Sequence, residues 1–204
     1  GTGKTMLAQT ALGLLPDLTD QEVLEVSKIY GLTMNTSDIH YDRPFRSPHH
    51  TASKISVVGG GPKAVPGEIS LAHLGVLFLD EMPEYPRSVL ESLRQPMEDK
   101  KITITRVNRT STYPANFMLI ATMNPCPCGY LGDETKDCSC TSTQILNYQR
   151  KISGPLLDRI DMVVTVNRVD NKSLLSHKSV GRSQQYTIRK QINSSLELKK
   201  KRYN

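Results

Sequence analysis

The sequence predicts an α/β fold, a parallel sheet flanked by helices, and three stretches predict it. Gly1-Thr2-Gly3-Lys4-Thr5 is the closing half of G-x-x-x-x-G-K-[ST], a turn whose successive N–H groups face phosphate oxygens. Val76-Leu77-Phe78-Leu79 is an unbroken apolar run, as in a strand buried on both faces, and it ends at Asp80-Glu81. Phe117 to Thr122 is a second buried strand, and it delivers Asn124 to the same sheet edge, where open α/β sheets bind ligands.

Each element can be justified in chain order. The first glycine of the phosphate loop and the strand before it are expected ahead of Gly1. Met6 to Leu15 continues the loop as a helix whose positive end faces the phosphates. Thr19 to Tyr30 places Val23, Leu24, Val26 and Ile29 at helical spacing after early acids, a second helix. A polar, proline-punctuated stretch from Asn35 to Thr51 follows and holds Arg43, Arg46, His49 and His50. After the apolar run Ile55 to Val58 comes a turn-rich segment, Gly59-Gly60-Gly61-Pro62 to Pro66-Gly67-Glu68. Ile69 to His73 reads as a helix leading into the acidic strand.

Pro86 opens a helix to Met97 with Val89, Leu90, Leu93 and Met97 on one face, and Pro96 argues for its termination. Ile102 to Arg106 and Arg109 to Tyr113 alternate with β-branched residues around Val107-Asn108, a β-hairpin. Ile152 to Asp161 leads into Met162 to Val166, read as a fourth strand, with Arg159 at a helix end before it.

The residue types at these positions suit nucleotide hydrolysis. Lys4 would reach the β- and γ-phosphates, Thr5 would offer its hydroxyl to Mg²⁺, and Asp80 would hold the Mg²⁺ shell. Glu81 would orient or deprotonate the attacking water, and Asn124 would hold that water. The plain alternatives are a buried strand ending in a charged turn, and an asparagine opening a turn before Pro125. Arg159 could stabilise transition-state charge on a neighbouring subunit's γ-phosphate; spacing alone favours a salt bridge within the chain.

Composition fits a cytoplasmic globular domain. The 204 residues carry 26 basic and 20 acidic side chains, a net +6 that permits a polyanionic partner without demanding one. With no Trp, three Phe and eight Tyr, the core must be mainly aliphatic. No apolar run is long enough to span a membrane. The four cysteines form two C-x-C pairs, Cys126/Cys128 and Cys138/Cys140. Disulfides are disfavoured in a cytosolic setting, which leaves a structural Zn²⁺ site or four reduced thiols.

The ordered motifs GTGKT, RPFRSPHHT, GGGPKAVPGEISLAHLGVLFLDEMPE, LRQPMEDKKITITR, ANFMLIATMNPCPCGY and GPLLDRID resemble the Mg-chelatase-like AAA+ ATPases of the ComM/YifB type. The resemblance covers roughly residues 1 to 166. It implies an AAA+ core with an insert in its second helix and a β-hairpin before the sensor-1 strand. It implies Gly1, Thr2, Gly3, Lys4, Thr5 and Asp80 as ATP and Mg²⁺ contacts, Glu81 as the catalytic acid, Asn124 as sensor 1 and Arg159 as the trans-acting arginine. It implies a homo-oligomeric ring, usually a hexamer. On this pattern residues 1–170 are the nucleotide-binding core, and 171–204 a linker and the start of a helical lid. The family's Lon-protease-like domain and sensor-2 arginine are not expected within this chain, so the piece alone is expected to be weakly active or inactive.

Two motor functions share such a fold. ComM-type proteins are implicated in moving DNA branches during uptake and recombination, whereas the magnesium chelatase ATPase drives metal insertion into a porphyrin through a protein partner. Arg106 and Arg109 flank the hairpin tip, where a ring would gather six copies into a phosphate-tracking funnel. Pairing with acids across a subunit boundary is the competing role. His49 and His50 are expected to hold the insert's fold.

Overall fold

A computed structural model describes residues 3–34, 38–106, 109–133, 135–166 and 182–203. Gly1, Thr2, the Val107-Asn108 turn and the expected domain boundary at 170/171 lie outside the described residues.

At the centre is a three-stranded parallel sheet in the order β1 (Phe45–Arg46), β4 (Val76–Leu79), β7 (Met118–Ala121). All four residues of β4 are buried, as the apolar run predicts. Successive side chains leave a strand on opposite faces, so β4 feeds two cores. Leu77 and Leu79 join Ile69, Val89, Leu90, Leu93, Phe117 and Leu156 on one side. Val76 and Phe78 pack on the other with Ala8 and Leu12 of α1 (Lys4–Leu12) and with Phe45.

The second helix, α2 (Asp20–Met34), runs a turn beyond its predicted end. Thr19 and Glu22 start it with a capping pair: the Thr19 N–H donates to Glu22 Oε2 at 2.8 Å and the Glu22 N–H donates to Thr19 Oγ1 at 3.3 Å. Within the polar stretch that follows lies β1, which the sequence does not announce. Its two residues sit between Pro44 and Pro48, too short for any period to show. Gly75 makes its pairing possible, because a Cβ there would lie 2.0 Å from the Pro44 carbonyl oxygen.

The apolar run after it is helical, α3 (Lys54–Val58), with the Ser53 hydroxyl accepting from the Ser56 N–H. The glycine-rich segment forms a small antiparallel pair, β2 (Gly59–Gly60) and β3 (Val65–Pro66), and α4 (Glu68–Leu71) leads into β4.

Pro96 does not end its helix. The segment splits at Leu93 into α5 (Arg87–Ser92) and α6 (Arg94–Asp99), so Pro96 falls in the first turn of α6, where its missing N–H has no intrahelical partner to lose. The hairpin forms as expected from β5 (Lys101–Arg106) and β6 (Arg109–Pro114), in register from Lys101↔Pro114 to Arg106↔Arg109.

Two strand expectations change. β7 is not buried along its length: Met118 is 46% exposed because β7 is an edge of the described sheet. Met162 to Val166 pair with no strand among the described residues, and Val163 is 84% exposed. The chain then offers α7 (Ser142–Gln149), α8 (Gly154–Leu157) and a long polar helix, α9 (Arg182–Tyr203). Among the described residues no helix is long and apolar enough to cross a membrane.

Candidate functional site

The parallel pairing of β4 with β7 ends at Leu79↔Ala121. The next residues, Asp80 and Thr122, therefore emerge side by side at one rim, and α1 begins at the same place. Three hydrogen bonds tie them together. Thr5 Oγ1 donates to Asp80 Oδ2 at 3.2 Å, and Thr122 Oγ1 donates to Asp80 Oδ1 at 2.6 Å. The Glu81 N–H donates to Thr122 Oγ1 at 2.9 Å. Thr5 and Asp80, 75 positions apart in sequence, are thus hydrogen-bonded to each other.

Two residues at this rim have left-handed backbone. Gly3 caps α1 at φ 66°, in the left-handed region that glycine enters without steric cost. Glu81 adopts φ 51°, ψ 52°, a conformation that disfavours its side chain by about 1–3 kcal/mol. It is held there by its own bond to Thr122 and by the Met82 N–H donating to the Thr122 carbonyl at 2.8 Å. Both carboxylates remain exposed to solvent. Beneath them the Tyr85 phenol is pushed up to about 12, first by burial and then by the Asp80 charge.

Thr122 is the residue that sequence reasoning missed. It reads as the last β-branched position of a strand, and only its place directly beyond Ala121, opposite Asp80, reveals a hydroxyl serving two neighbours.

Asn124 lies two residues farther along the same rim and is partly buried. Its Cγ is 3.9 Å from where a Cβ on Gly129 would sit, so the turn closed by the Gly129 N–H to the Cys126 carbonyl packs against it. Tyr148 of α7 also reaches Asn124. Its phenol is raised by burial, eased by a hydrogen bond with the Asn124 backbone, and raised again by Glu84, Glu81 and Cys126.

Arg159 is engaged within the chain: it donates to Glu98 Oε2 at 2.5 Å and to the Pro155 carbonyl. The insert's arginines also turn inward. Arg46 grips Glu68 with two bonds of 2.6 and 2.7 Å, and Arg43 donates to the carbonyls of Pro16 and Leu74. The His49 and His50 rings meet at 4.0 Å, tilted by 34°, with His50 edge-on to Tyr85, a packing arrangement. Arg106 and Arg109 form the last described backbone pair of the hairpin.

The four cysteines converge in the connection between β7 and α7. Cys126 is buried, while Cys128, Cys138 and Cys140 are partly so, and all four sulfurs lie within 4.8 Å of one another. The Tyr130 main-chain N–H is the chief cause of a Cys128 thiol lowered to about 6. Cys138 is pushed to about 12: the Cys140 main chain lowers it, but burial and the Cys128 and Cys126 sulfurs outweigh that. The Cys128 thiolate is favoured, while the Cys138 and Cys140 thiols are pushed toward keeping their protons.

A family model described as magnesium chelatase, subunit ChlI, matches residues 1–174. The chain is 45% identical to the uncharacterized protein YifB of Salmonella typhimurium, over 97% of this chain and 42% of that one. It is 45% identical to YifB of Escherichia coli, over 100% of this chain and 40% of that one. It is 48% identical to the competence protein ComM of Haemophilus influenzae, over 85% of this chain and 34% of that one. The chain therefore spans 34% to 42% of the length of these curated relatives.

Proposed function

Since this chain belongs to the magnesium chelatase subunit ChlI family, we propose that it carries the ATP-hydrolysing core of an AAA+ ring motor acting on DNA. The observation that supports this most is the shared carboxylate: Thr5 and Thr122 both donate to Asp80, with Glu81 fixed beside it.

A hydroxyl and a carboxylate oxygen are hard donors of the kind Mg²⁺ takes alongside substrate phosphates. Thr5 and Asp80 would hold the metal, and Gly1, Thr2, Gly3 and Lys4 would bind the phosphates of ATP. Bound Mg²⁺ supplies charge neutralisation on the phosphoryl oxygens. The chain's own residues supply the rest. Glu81 orients the attacking water and accepts its proton, and Asn124 holds that water in line. Arg159 acts on the site of a neighbouring subunit in a homo-oligomeric ring, which requires it to leave Glu98.

DNA is the proposed substrate because the chain is similar to a competence protein and because Arg106 and Arg109 stand opposite each other at the last described pair of the hairpin. Several hairpins converging in a ring would line a channel with guanidinium groups that follow a phosphate backbone without reading sequence. The family's own description favours a second reading, a motor that drives a protein partner during metal insertion into a porphyrin.

ATPase rate of the full-length protein, measured with and without single-stranded or branched DNA, separates the two. Stimulation that is lost in a double Arg106→Ala, Arg109→Ala variant supports the DNA motor. Intact rings that hydrolyse ATP indifferently to DNA favour the chelatase-type reading.

A further inference from the structure

Residues 122–141 connect β7 to α7 without helix or strand among those described. Connections longer than about 12–15 residues are uncommon in compact domains unless they are functional or pinned. This one is tied down at its ends. Gln149 Nε2 donates to the Pro125 carbonyl at 3.3 Å, and a Thr141–Gln144 capping box starts α7.

In its middle the Asp133 carboxylate accepts from the Thr135 and Lys136 N–H groups, and beside that turn four sulfurs meet. Cys126 and Cys128 are 3.4 Å apart, Cys126 and Cys138 3.7 Å, and Cys128 and Cys138 3.6 Å. A disulfide would need about 2.05 Å, and all four cysteines are free. Four thiolates at about 2.3 Å from a tetrahedral Zn²⁺ have neighbouring sulfurs about 3.8 Å apart. The three separations come close to that edge length. Cysteines that serve merely as small apolar residues are usually fully buried, whereas three of these are not.

We infer that Cys126, Cys128, Cys138 and Cys140 bind one structural Zn²⁺, and that this knuckle positions Asn124 at the rim carrying Asp80 and Glu81. Soft thiolate donors in a tetrahedron select zinc over the hard cation proposed for Thr5 and Asp80. Zinc binds each sulfur as a thiolate, so every thiol that carries a proton releases it to solvent on binding. Four protein ligands leave no open position, and the metal takes no part in hydrolysis. The link to Asn124 is short. Cys126 is two residues away, and the turn it closes onto Gly129 packs against the Asn124 side chain. Tyr148 of α7 makes a hydrogen bond with the Asn124 backbone. This second half of the inference rests on the role proposed above for Asn124 in ATP hydrolysis.

The test uses the full-length protein. Elemental analysis should give about one zinc per chain, and Cys126→Ser and Cys138→Ser variants should lose it. Should those variants fail to fold, wild-type protein loaded with Co²⁺ should show the visible absorption of a tetrahedral cobalt thiolate. Zinc far below stoichiometric after purification with added metal, or a weak octahedral cobalt spectrum, overturns the site. Removing zinc with a chelator and restoring Mg²⁺ should lower kcat by between about 10- and 100-fold while affinity for a non-hydrolysable ATP analogue stays unchanged. Zinc that can be removed with kcat intact overturns the positioning role. Zinc-loaded wild type that hydrolyses no ATP counts against the ATPase reading, while metal content and cobalt spectrum still decide the site itself.

Discussion

Thr122 Oγ1 donates its single proton to Asp80 Oδ1 at 2.6 Å, so the end of β7 orients the carboxylate at the end of β4. The same oxygen accepts the Glu81 N–H at 2.9 Å. One hydroxyl thereby orients the Asp80 carboxylate and anchors the Glu81 backbone beside it.

Thr122→Val keeps the shape of the side chain and removes both bonds. A hydrogen bond to a charged group is worth about 1.5–3 kcal/mol, so kcat should fall at least about tenfold, and the Mg²⁺ needed for half-maximal rate should rise. Thr122→Ser restores the hydroxyl and should restore most of the rate. A valine variant with wild-type kcat and Mg²⁺ dependence would show that the pair has no bearing on turnover.

Glu81 trades stability for geometry. Its left-handed backbone disfavours any side chain but tolerates glycine. Glu81→Gly should therefore leave stability unchanged or raise it by up to about 1 kcal/mol, while hydrolysis is abolished. Glu81→Gln keeps the strain and removes the base, so it should bind ATP normally and turn over about 10²–10⁴-fold more slowly. Denaturant midpoints and single-turnover rates of the two variants read these effects separately.

How much of this could be read beforehand varied with the kind of signal. β4 was legible because a strand covered on both faces is continuously apolar, and the hairpin because β-branched residues alternate through six-residue strands. The joining of Thr5 to Asp80 followed from motif spacing. β1 was not legible, since two residues between prolines have no period. Pro96 was read as a terminator because the break at Leu93, which places it in a first turn, leaves no mark in composition. Thr122 escaped because its importance depends on strand register, a property of two segments and not of one.

His73 makes stability depend on pH. Its ring is 5% exposed, Nδ1 accepts the Asn116 N–H at 3.1 Å, and Nε2 pairs with Glu25 Oε2 at 3.3 Å. Burial lowers its pKa below the usual 6.5, although Glu25 and Glu22 pull the other way. The unfolded chain then binds this proton more readily than the folded one. Stability from His73 is present above about pH 6.5 and declines as pH falls toward the lower folded value, where it levels off. Urea midpoints from pH 8 to 5 should show the decline, and His73→Asn, which can still accept from Asn116, should reduce it.

Gly75→Ala tests the β1–β4 junction. The added methyl would meet the Pro44 carbonyl at 2.0 Å, and that carbonyl accepts the Val76 N–H at 2.8 Å. Backbone cannot yield as a side-chain tip can, so the variant should lose about 1–3 kcal/mol. A thermal midpoint equal to wild type would mean that β1 shifts freely and contributes little.

Arg159 offers the sharpest test of assembly, because its two possible roles predict opposite results in a mixture. In the single chain it is bound to Glu98, 2.5 Å away, and a purely structural arginine would stay there. An arginine that completes a neighbour's site contributes on the order of 10³–10⁵ in rate, so Arg159→Ala should be nearly inactive alone, as should Glu81→Gln. Mixed rings of the two variants would contain some sites with Glu81 from one subunit and Arg159 from the other, both intact. Activity should then reappear on mixing and vary with the ratio of the two proteins. If each site instead used the Glu81 and Arg159 of a single chain, every site in the mixture would lack one of them, and the mixture would stay as inactive as its parts.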